Sequence, residues 1–311
     1  MDSPKYNKFE TFKVPYKVVN SHDIDAYILL PKGLAPGKHP IMANIHGGFF
    51  ITGSALYPEW FPQWLLDYCH LHSAIIIAAE YRLLPESSGS DIMDDISDFW
   101  DWLRNGFQHE LTKLKPGIEA DLSKVAVEGA SAGGCLAVLS GFHQPPGSIK
   151  AVLAAYPGLI PSEKKEKAMM GASTIPVEFL EEYLNNMKPG EIVTSADPPA
   201  RMKIGLALTQ QYERKAEFWG LDENLYPFKV LEKIQDAPYM LILHGEDDTA
   251  VSVNNSTRFA ELAKKKLGDN KIDLIVQPGE HGFDAELAGD TPWLKEGLVK
   301  VTELWLGKAG S

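Results

Sequence analysis

Short, unbroken apolar runs recur along the chain, and they constrain its fold more than any other feature. The stretch SAIIIAAE, residues 73–80, is apolar at successive positions instead of at every second one. A strand with one wet face alternates; a strand buried on both faces does not. Runs of this kind at Ile41–Ile45, Ala74–Ala79, Val125–Glu128, Ala151–Ala155, Tyr239–Leu243 and Ile272–Val276 predict a mostly parallel sheet covered by helices. Phe12–Val19 and Ala26–Leu30 alternate more and read as antiparallel edge strands turning near Asn20–Asp23. Between the runs lie helical patterns at Pro58–His70, Asp91–Asn105, Gly133–Phe142, Asn255–Leu267 and Trp293–Leu306. Strand and helix in repeated order mean α/β, here an eight-stranded sheet with helices on both faces.

One stretch breaks the order. Residues 157–235 hold no convincing strand, and prolines at 189, 198 and 199 interrupt apolar residues at helical spacing near 177–187 and 203–218. A structureless loop of this length is improbable. It reads as a helical cap inserted into a single domain spanning 1–311, with the amino-terminal segment as a possible second contributor. Its spacing places Phe179, Leu180 and Tyr183 on one face, with Leu206 and Leu208 nearby.

Composition sets outer limits. At 311 residues, 44% hydrophobic and 23% charged, the chain matches an ordinary globular protein. A net charge of −12 argues against nucleic acid or anionic membrane as partner. No apolar run is long enough to span a bilayer, and no secretory signal is readable at the start. Cys69 and Cys135 form no metal-ligand spacing; a reducing, cytoplasmic setting fits them.

The segment VAVEGASAGG, residues 125–134, is a strand, a sharp turn and a helix start. It contains G-x-S-x-G as Gly129-Ala130-Ser131-Ala132-Gly133. Glycines weaken helices and strands alike, so their presence needs a cause. A serine on a tight turn at a strand's carboxyl end brings its neighbours two residues away into contact, where side chains would clash. Such a serine needs a base, and the base needs an orienting acid. MLILHGEDDTAV sets acids directly after one strand, and QPGEHGF sets His281 directly after the last. The order Ser131, acid, His281 is the one this fold uses. Asp247 and Asp248 compete for the acid; Asp248 fits H-G-x-x-D-x-x-V through His244, Gly245 and Val251. The glycine pair in IMANIHGGFFITGS can aim backbone N–H groups at a developing oxyanion.

HGGFFITGS, EYRLLPE, GASAGG and the HGEDDTAV/HGF pair occur in one order. Together they resemble the hormone-sensitive-lipase-like, carboxylesterase-type branch of the α/β-hydrolase superfamily over residues 10–306, with fungal secondary-metabolism members as near relatives. The resemblance implies an α/β-hydrolase fold, with Ser131 as nucleophile, His281 as base and acid, and Asp248 as its orienter. It implies oxyanion donors at Gly48, Phe49 and Ala132, where Phe49 stands in place of the family's third HGGG glycine. It implies no metal and no organic cofactor, and a small ester or thioester as substrate. Arg82 and Glu86 of EYRLLPE would tie loops beneath the site. Tyr57, Trp60, Phe61 and Trp64 either line an apolar pocket or pack a helix into the core. Hydrolysis through an acyl-enzyme is the leading expectation. Acyl transfer, thioester release of a polyketide, or a non-hydrolytic ligand-binding or cyclase role are the alternatives.

Overall fold

The computed structural model describes residues 3–164 and 169–307. In chain order the elements are β1 (Phe9–Val19), β2 (His22–Pro31), β3 (Gly37–Ile45), α1 (Gln63–Leu71), β4 (Ile75–Ala79), α2 (Gly89–Asn105), α3 (Phe107–Leu114) and β5 (Ile118–Ala130). There follow α4 (Ala132–His143), β6 (Ala151–Ala155), α5 (Val177–Asn185), α6 (Met202–Gln210), α7 (Tyr212–Trp219), α8 (Pro227–Lys233), β7 (Tyr239–Gly245), α9 (Val253–Leu267), β8 (Ile272–Gln277) and α10 (Pro292–Leu306). The strands form one 8-stranded sheet in the order β1-β2-β4-β3-β5-β6-β7-β8. β1 pairs antiparallel with β2, and β2 with β4; every later neighbouring pair is parallel. All the strands read from the apolar runs are present, and the α/β-hydrolase architecture is the observed one.

The unbroken runs have a simple structural meaning. On β4, Ile75, Ile77 and Ala79 join one core while Ile76 and Ala78 join the other. The first core packs the sheet against α2, α3, α4 and α9; the second packs it against α1 and α10. α4 is buried through Gly141, which explains its nearly all-apolar sequence. α2 starts on a capping box, with Ser88 and Asp91 satisfying each other's backbone N–H groups. Cys69 and Cys135 are both buried and free. Among the described residues no helix is long and apolar enough to cross a membrane.

Two helical expectations need correction, and two helices were not expected. The pattern at 58–70 becomes a helix only from Gln63, because Pro62 holds an extended N-cap (φ −66°, ψ 127°) and disfavours helical backbone at the residue before it. Phe61 and Trp64 are consequently core residues, while Trp60 stays near the surface of the turn. The pattern at 203–218 is two helices, broken at Gln211, whose ψ of 63° leaves the helical region. The short helices α3 and α8 were not anticipated; α8 begins on Pro227 at a first-turn position, where proline suits a helix.

Helices α5–α8 lie between β6 and β7 in the chain and are fastened to the loop after β3. Gly53 and Ala196 exchange two backbone hydrogen bonds of 2.8 Å. The Thr52 hydroxyl lies 2.9 and 2.7 Å from the carbonyl oxygens of Ala196 and Ala200. Arg201 donates to the Ile51 carbonyl at 2.7 Å, to the Leu84 carbonyl at 2.6 Å and to the Glu86 carboxylate at 2.6 Å. Tyr183 also bonds to Glu86. Of the EYRLLPE residues, Arg82 instead binds Asp91 and Asp95 of α2. The amino-terminal segment packs on the later part of the same loop: Lys5 donates to the Pro58 carbonyl at 2.8 Å, and Tyr6 meets Phe61 edge-on.

One core residue of β5 is an acid. Glu128 is 1% exposed, and Asn44 on β3 donates to its carboxyl at 2.5 Å. Burial raises its pKa, the nearby Asp284 raises it further, and the Asn44 bond only partly offsets this, so it is pushed up to about 8. An acid whose pKa rises on folding binds more protons folded than unfolded, so stability falls as pH rises between the two values. The window runs from the ordinary 4.5 to about 8. Glu128→Gln keeps an acceptor for Asn44 and removes the titration. Urea unfolding should show the variant gaining stability relative to wild type as pH goes from ~5 to ~8; a constant offset between the two proteins would refute the assignment.

Candidate active site

β5 delivers Ser131 to the carboxyl edge of the sheet, and α4 starts at the next residue. Ser131 has φ 56° and ψ −116°, a conformation that non-glycine residues rarely adopt. It is held from three sides: its N–H donates to the Ala155 carbonyl at 2.9 Å, and its carbonyl accepts from Gly158 at 2.8 Å and Cys135 at 3.2 Å. The glycines around it have a steric cause. A Cβ on Gly129 would stand 2.3 Å from the Gly133 carbonyl oxygen, and one on Gly133 would stand 1.9 Å from the Ile45 carbonyl oxygen. The turn exists because β3, β5 and α4 meet there without side chains.

The loop after β7 carries the two acids, and they part company. Asp248 has a fully buried side chain, with Oδ1 accepting the N–H groups of Ala250 and Val251, each at 2.8 Å. Its Oδ2 lies 2.8 Å from Nδ1 of His281 and 3.4 Å from Nε2 of the buried His244. Asp247 turns outward and accepts the Gly279 N–H at 3.2 Å. Burial alone would raise the Asp248 carboxyl, but the bonds from His244, His281 and the Val251 N–H outweigh it and hold it well below the usual carboxylate range. An ionised Asp248 only accepts, so Nδ1 of His281 carries the proton and Nε2 is left as an acceptor. The Ser131 hydroxyl donates to that Nε2 at 3.0 Å. The three residues thus form one hydrogen-bonded relay. The Tyr156 ring lies against the imidazole at 4.5 Å between centroids.

The loop after β3 faces Ser131 from the other side. Gly48 (φ 107°) and Phe49 (φ 62°) both have left-handed backbone. At Gly48 a side chain would collide with the Thr52 carbonyl. The Gly48 carbonyl accepts from Ile51 and Thr52 at 2.8 and 2.9 Å. No acceptor among the described residues takes the N–H groups of Gly48 or Phe49, and Ala132 stands at the first position of α4, where helices leave N–H groups open. The Phe49 side chain packs over Gly205 of α6.

Two cavities share Ser131 and Phe49. The larger, about 210 Å³, is also lined by Gly48, Trp60, Tyr156, Met170, Met202 and His281. The smaller, about 30 Å³, is lined by Ala132, Ile160 and Val251 together with polar residues. The insertion reaches Ser131 through Met170, Met202, Thr209 and Lys215, not through Phe179, Leu180 and Tyr183. Leu180 and Leu208 are buried in the packing beneath, and Tyr183 is drawn to Glu86.

One organising residue escaped the sequence reading. Glu280 accepts the N–H groups of Thr249 and His281 at 2.6 and 2.8 Å and bonds the Thr249 hydroxyl at 2.8 Å. It latches the loop of Asp248 to that of His281. Its only signal was adjacency to the histidine. Among the described residues no group of three or more His, Cys, Asp or Glu is placed to hold a metal ion.

Known proteins share the fold and the sequence pattern of this chain. A family model described as the alpha/beta hydrolase fold matches residues 42–210. A probable carboxylesterase of Phoma sp. is 29% identical over 322 residues, covering 98% of this chain and 100% of that protein. A probable carboxylesterase of Cochliobolus lunatus is 30% identical over 203 residues, covering 60% of this chain and 92% of that protein. A non-reducing polyketide synthase of Stachybotrys bisbyi is 25% identical over 336 residues, covering 92% of this chain but 15% of the synthase. Among solved structures, the apo form of Thermogutta terrifontis esterase 2 superposes with a TM-score of 0.63 at 21% identity, covering 98% of this chain and 96% of that one. That last likeness speaks to the fold; the family model and the fungal sequences go further, and the chain belongs to the α/β-hydrolase fold family, as a hydrolase of its carboxylesterase branch.

Proposed function

We propose that the protein is a serine carboxylic-ester hydrolase acting through an acyl-enzyme on a small to medium, largely apolar ester. The observation that carries this reading is the relay from Ser131 through His281 to Asp248, at 3.0 and 2.8 Å, beside a loop of open N–H groups. Ser131 Oγ attacks the ester carbonyl carbon while its proton passes to Nε2 of His281. The carbonyl oxygen takes the negative charge and is met by the N–H groups of Gly48, Phe49 and Ala132. When the intermediate collapses, Nε2 returns the proton to the departing alkoxide and the alcohol leaves. Water then attacks the acyl-enzyme with His281 again as base, and the acid is released. Asp248 stays ionised throughout, orienting the imidazole and stabilising its cation. Residues 157–235 serve as the cap, with Met170 and Met202 excluding water from the larger cavity. The free thiols of Cys69 and Cys135 suit a reducing compartment such as the cytoplasm.

A second reading has its own support. The chain aligns along 92% of its length with a segment that makes up 15% of a polyketide synthase. The same acyl-enzyme could pass its acyl group to an alcohol, or form from a carrier-bound thioester. Product analysis with an added alcohol separates the two: free acid alone favours hydrolysis, and a new ester favours transfer.

Four variants test the reading. Ser131→Ala should lower p-nitrophenyl ester hydrolysis about 10⁴-fold or more with the fold retained by circular dichroism; substantial residual turnover removes Ser131 from the role. Asp248→Asn should lose far more turnover than Asp247→Asn, because an amide holds His281 in the wrong tautomer. The opposite order would reassign the acid. For the cap, Met202→Ala should change the relative KM of small-alcohol and aryl esters with little change in Tm; equal KM ratios would place the alcohol elsewhere.

A further inference from the structure

Tyr156 holds a strained position beside the relay. It is the first residue after β6, and its φ of 35° is one that a residue with a side chain rarely adopts. Its N–H donates to the Leu243 carbonyl of β7 at 2.6 Å, which pins the turn between two strands. Strain of this kind persists only where the surroundings hold it, and it clusters at functional sites. The turn delivers a ring to His281: the two centroids lie 4.5 Å apart, with the planes tilted by 59°. Phe283 meets the same ring edge-on at 6.1 Å. The tyrosine is also coupled to an acid. Asp284 is wholly buried, and its Oδ2 accepts the indole N–H of Trp64 on α1 at 2.9 Å. Its Oδ1 closes no hydrogen bond of ordinary length among the described residues, yet the carboxyl interacts with the Tyr156 hydroxyl and, electrostatically, with His281 and Glu128.

When Ser131 attacks, its proton passes to Nε2 and the imidazole of His281 becomes a cation. Asp248 meets that cation at Nδ1. An aromatic ring within about 6 Å attracts a cation too, through the negative charge of its face. A cation on His281 favours the ionised form of Asp284, and by reciprocity an ionised Asp284 favours the cation. Resting on the ester-hydrolase reading, we propose that Tyr156, backed by Asp284, is a positioning residue for His281: its ring seats the imidazole against Asp248 and stabilises the imidazolium formed during attack. The other titratable groups on the imidazole are Asp248 and Glu280, whose carboxylate accepts the His281 N–H at 2.8 Å, with Glu59 at the wall of the larger cavity. None of these is carried by β6 or the turn after it, so removing the Tyr156 ring leaves them in place.

The test is the pH profile of p-nitrophenyl acetate hydrolysis, in which the acid limb of kcat/KM reports protonation of the base in the free enzyme. Tyr156→Leu removes the ring. Its acid limb should move to lower pH, because the cation has lost a stabilising partner, and plateau kcat should fall about 3–30-fold with little change in KM. Tyr156→Phe keeps the ring and should lie between Tyr156→Leu and wild type. Asp284→Asn, which can still accept from Trp64, should move the limb in the same direction. A role in packing alone would lower Tm and cost the same factor at every pH. An unmoved acid limb in folded Tyr156→Leu therefore overturns the proposal and leaves the ester-hydrolase reading standing. If wild type hydrolyses no p-nitrophenyl ester, that reading fails and the positioning role with it. Should Tyr156→Leu not fold, Asp284→Asn decides, and an acid limb at the wild-type position overturns the proposal.

Discussion

The bare contact between the start of α4 and the end of β3 is the constraint on which the rest depends. Gly133 lies so close to the Ile45 carbonyl that a single methyl group would drive them apart. That closeness forces the chain between β5 and α4 to turn within one residue. Ser131 absorbs the turn in a left-handed conformation, with its hydroxyl directed out of the sheet edge towards His281. The same contact brings the loop after β3, with its open N–H groups, to the side of Ser131 facing away from the loop of Asp248. The strain is local and is offset by the hydrogen bonds Ser131 donates to Ala155 and accepts from Gly158, and by the packing of a helix buried nearly all round.

A second coupling ties the insertion to the loop of N–H groups. Residues 51–54 are stitched to 196–201 by backbone bonds, by the Thr52 hydroxyl and by Arg201. Arg201 is in turn anchored on Glu86 and the Leu84 carbonyl. Phe49, in the same loop, rests on Gly205. The aromatic side chain at this position therefore joins the loop to α6 instead of crowding the backbone groups beside Ser131. The helices above and the loop below form one unit, so the walls of the two cavities cannot move far without disturbing the geometry around Ser131.

The fold was legible because strands buried on both faces leave an unmistakable mark, and every strand-end motif then had a defined address. Ser131, Asp248 and His281 could be named because each follows a strand at the same sheet edge, and they do come together. What stayed hidden depends on approach in space. Pro62 delays α1, a local effect that the apolar stripe of 58–70 masked. Glu280, Thr209 and Lys215 carry no pattern of their own; a lysine in a helix looks like a surface residue until α7 packs, and a glutamate beside a histidine shows its role only when the two loops it bonds come together. Glu128 closed a run read as buried on both faces, but nothing in the run showed that Asn44 would meet its carboxyl there.

The relay joins residues far apart in the chain. Ser131 and His281 stand 150 positions apart, and the Thr52 contact with Ala196 spans 144. Contacts of this separation form late, since the entropy of closing long loops must be met before they return anything. The Ser131 conformation cannot be rehearsed by a fragment ending before β6, because the Ala155 carbonyl that holds it is absent there. A nascent chain emerging from the ribosome therefore holds Ser131 apart from its histidine until β8 and the His281 loop have docked, and the hydrogen-bonded relay closes only on the folded molecule.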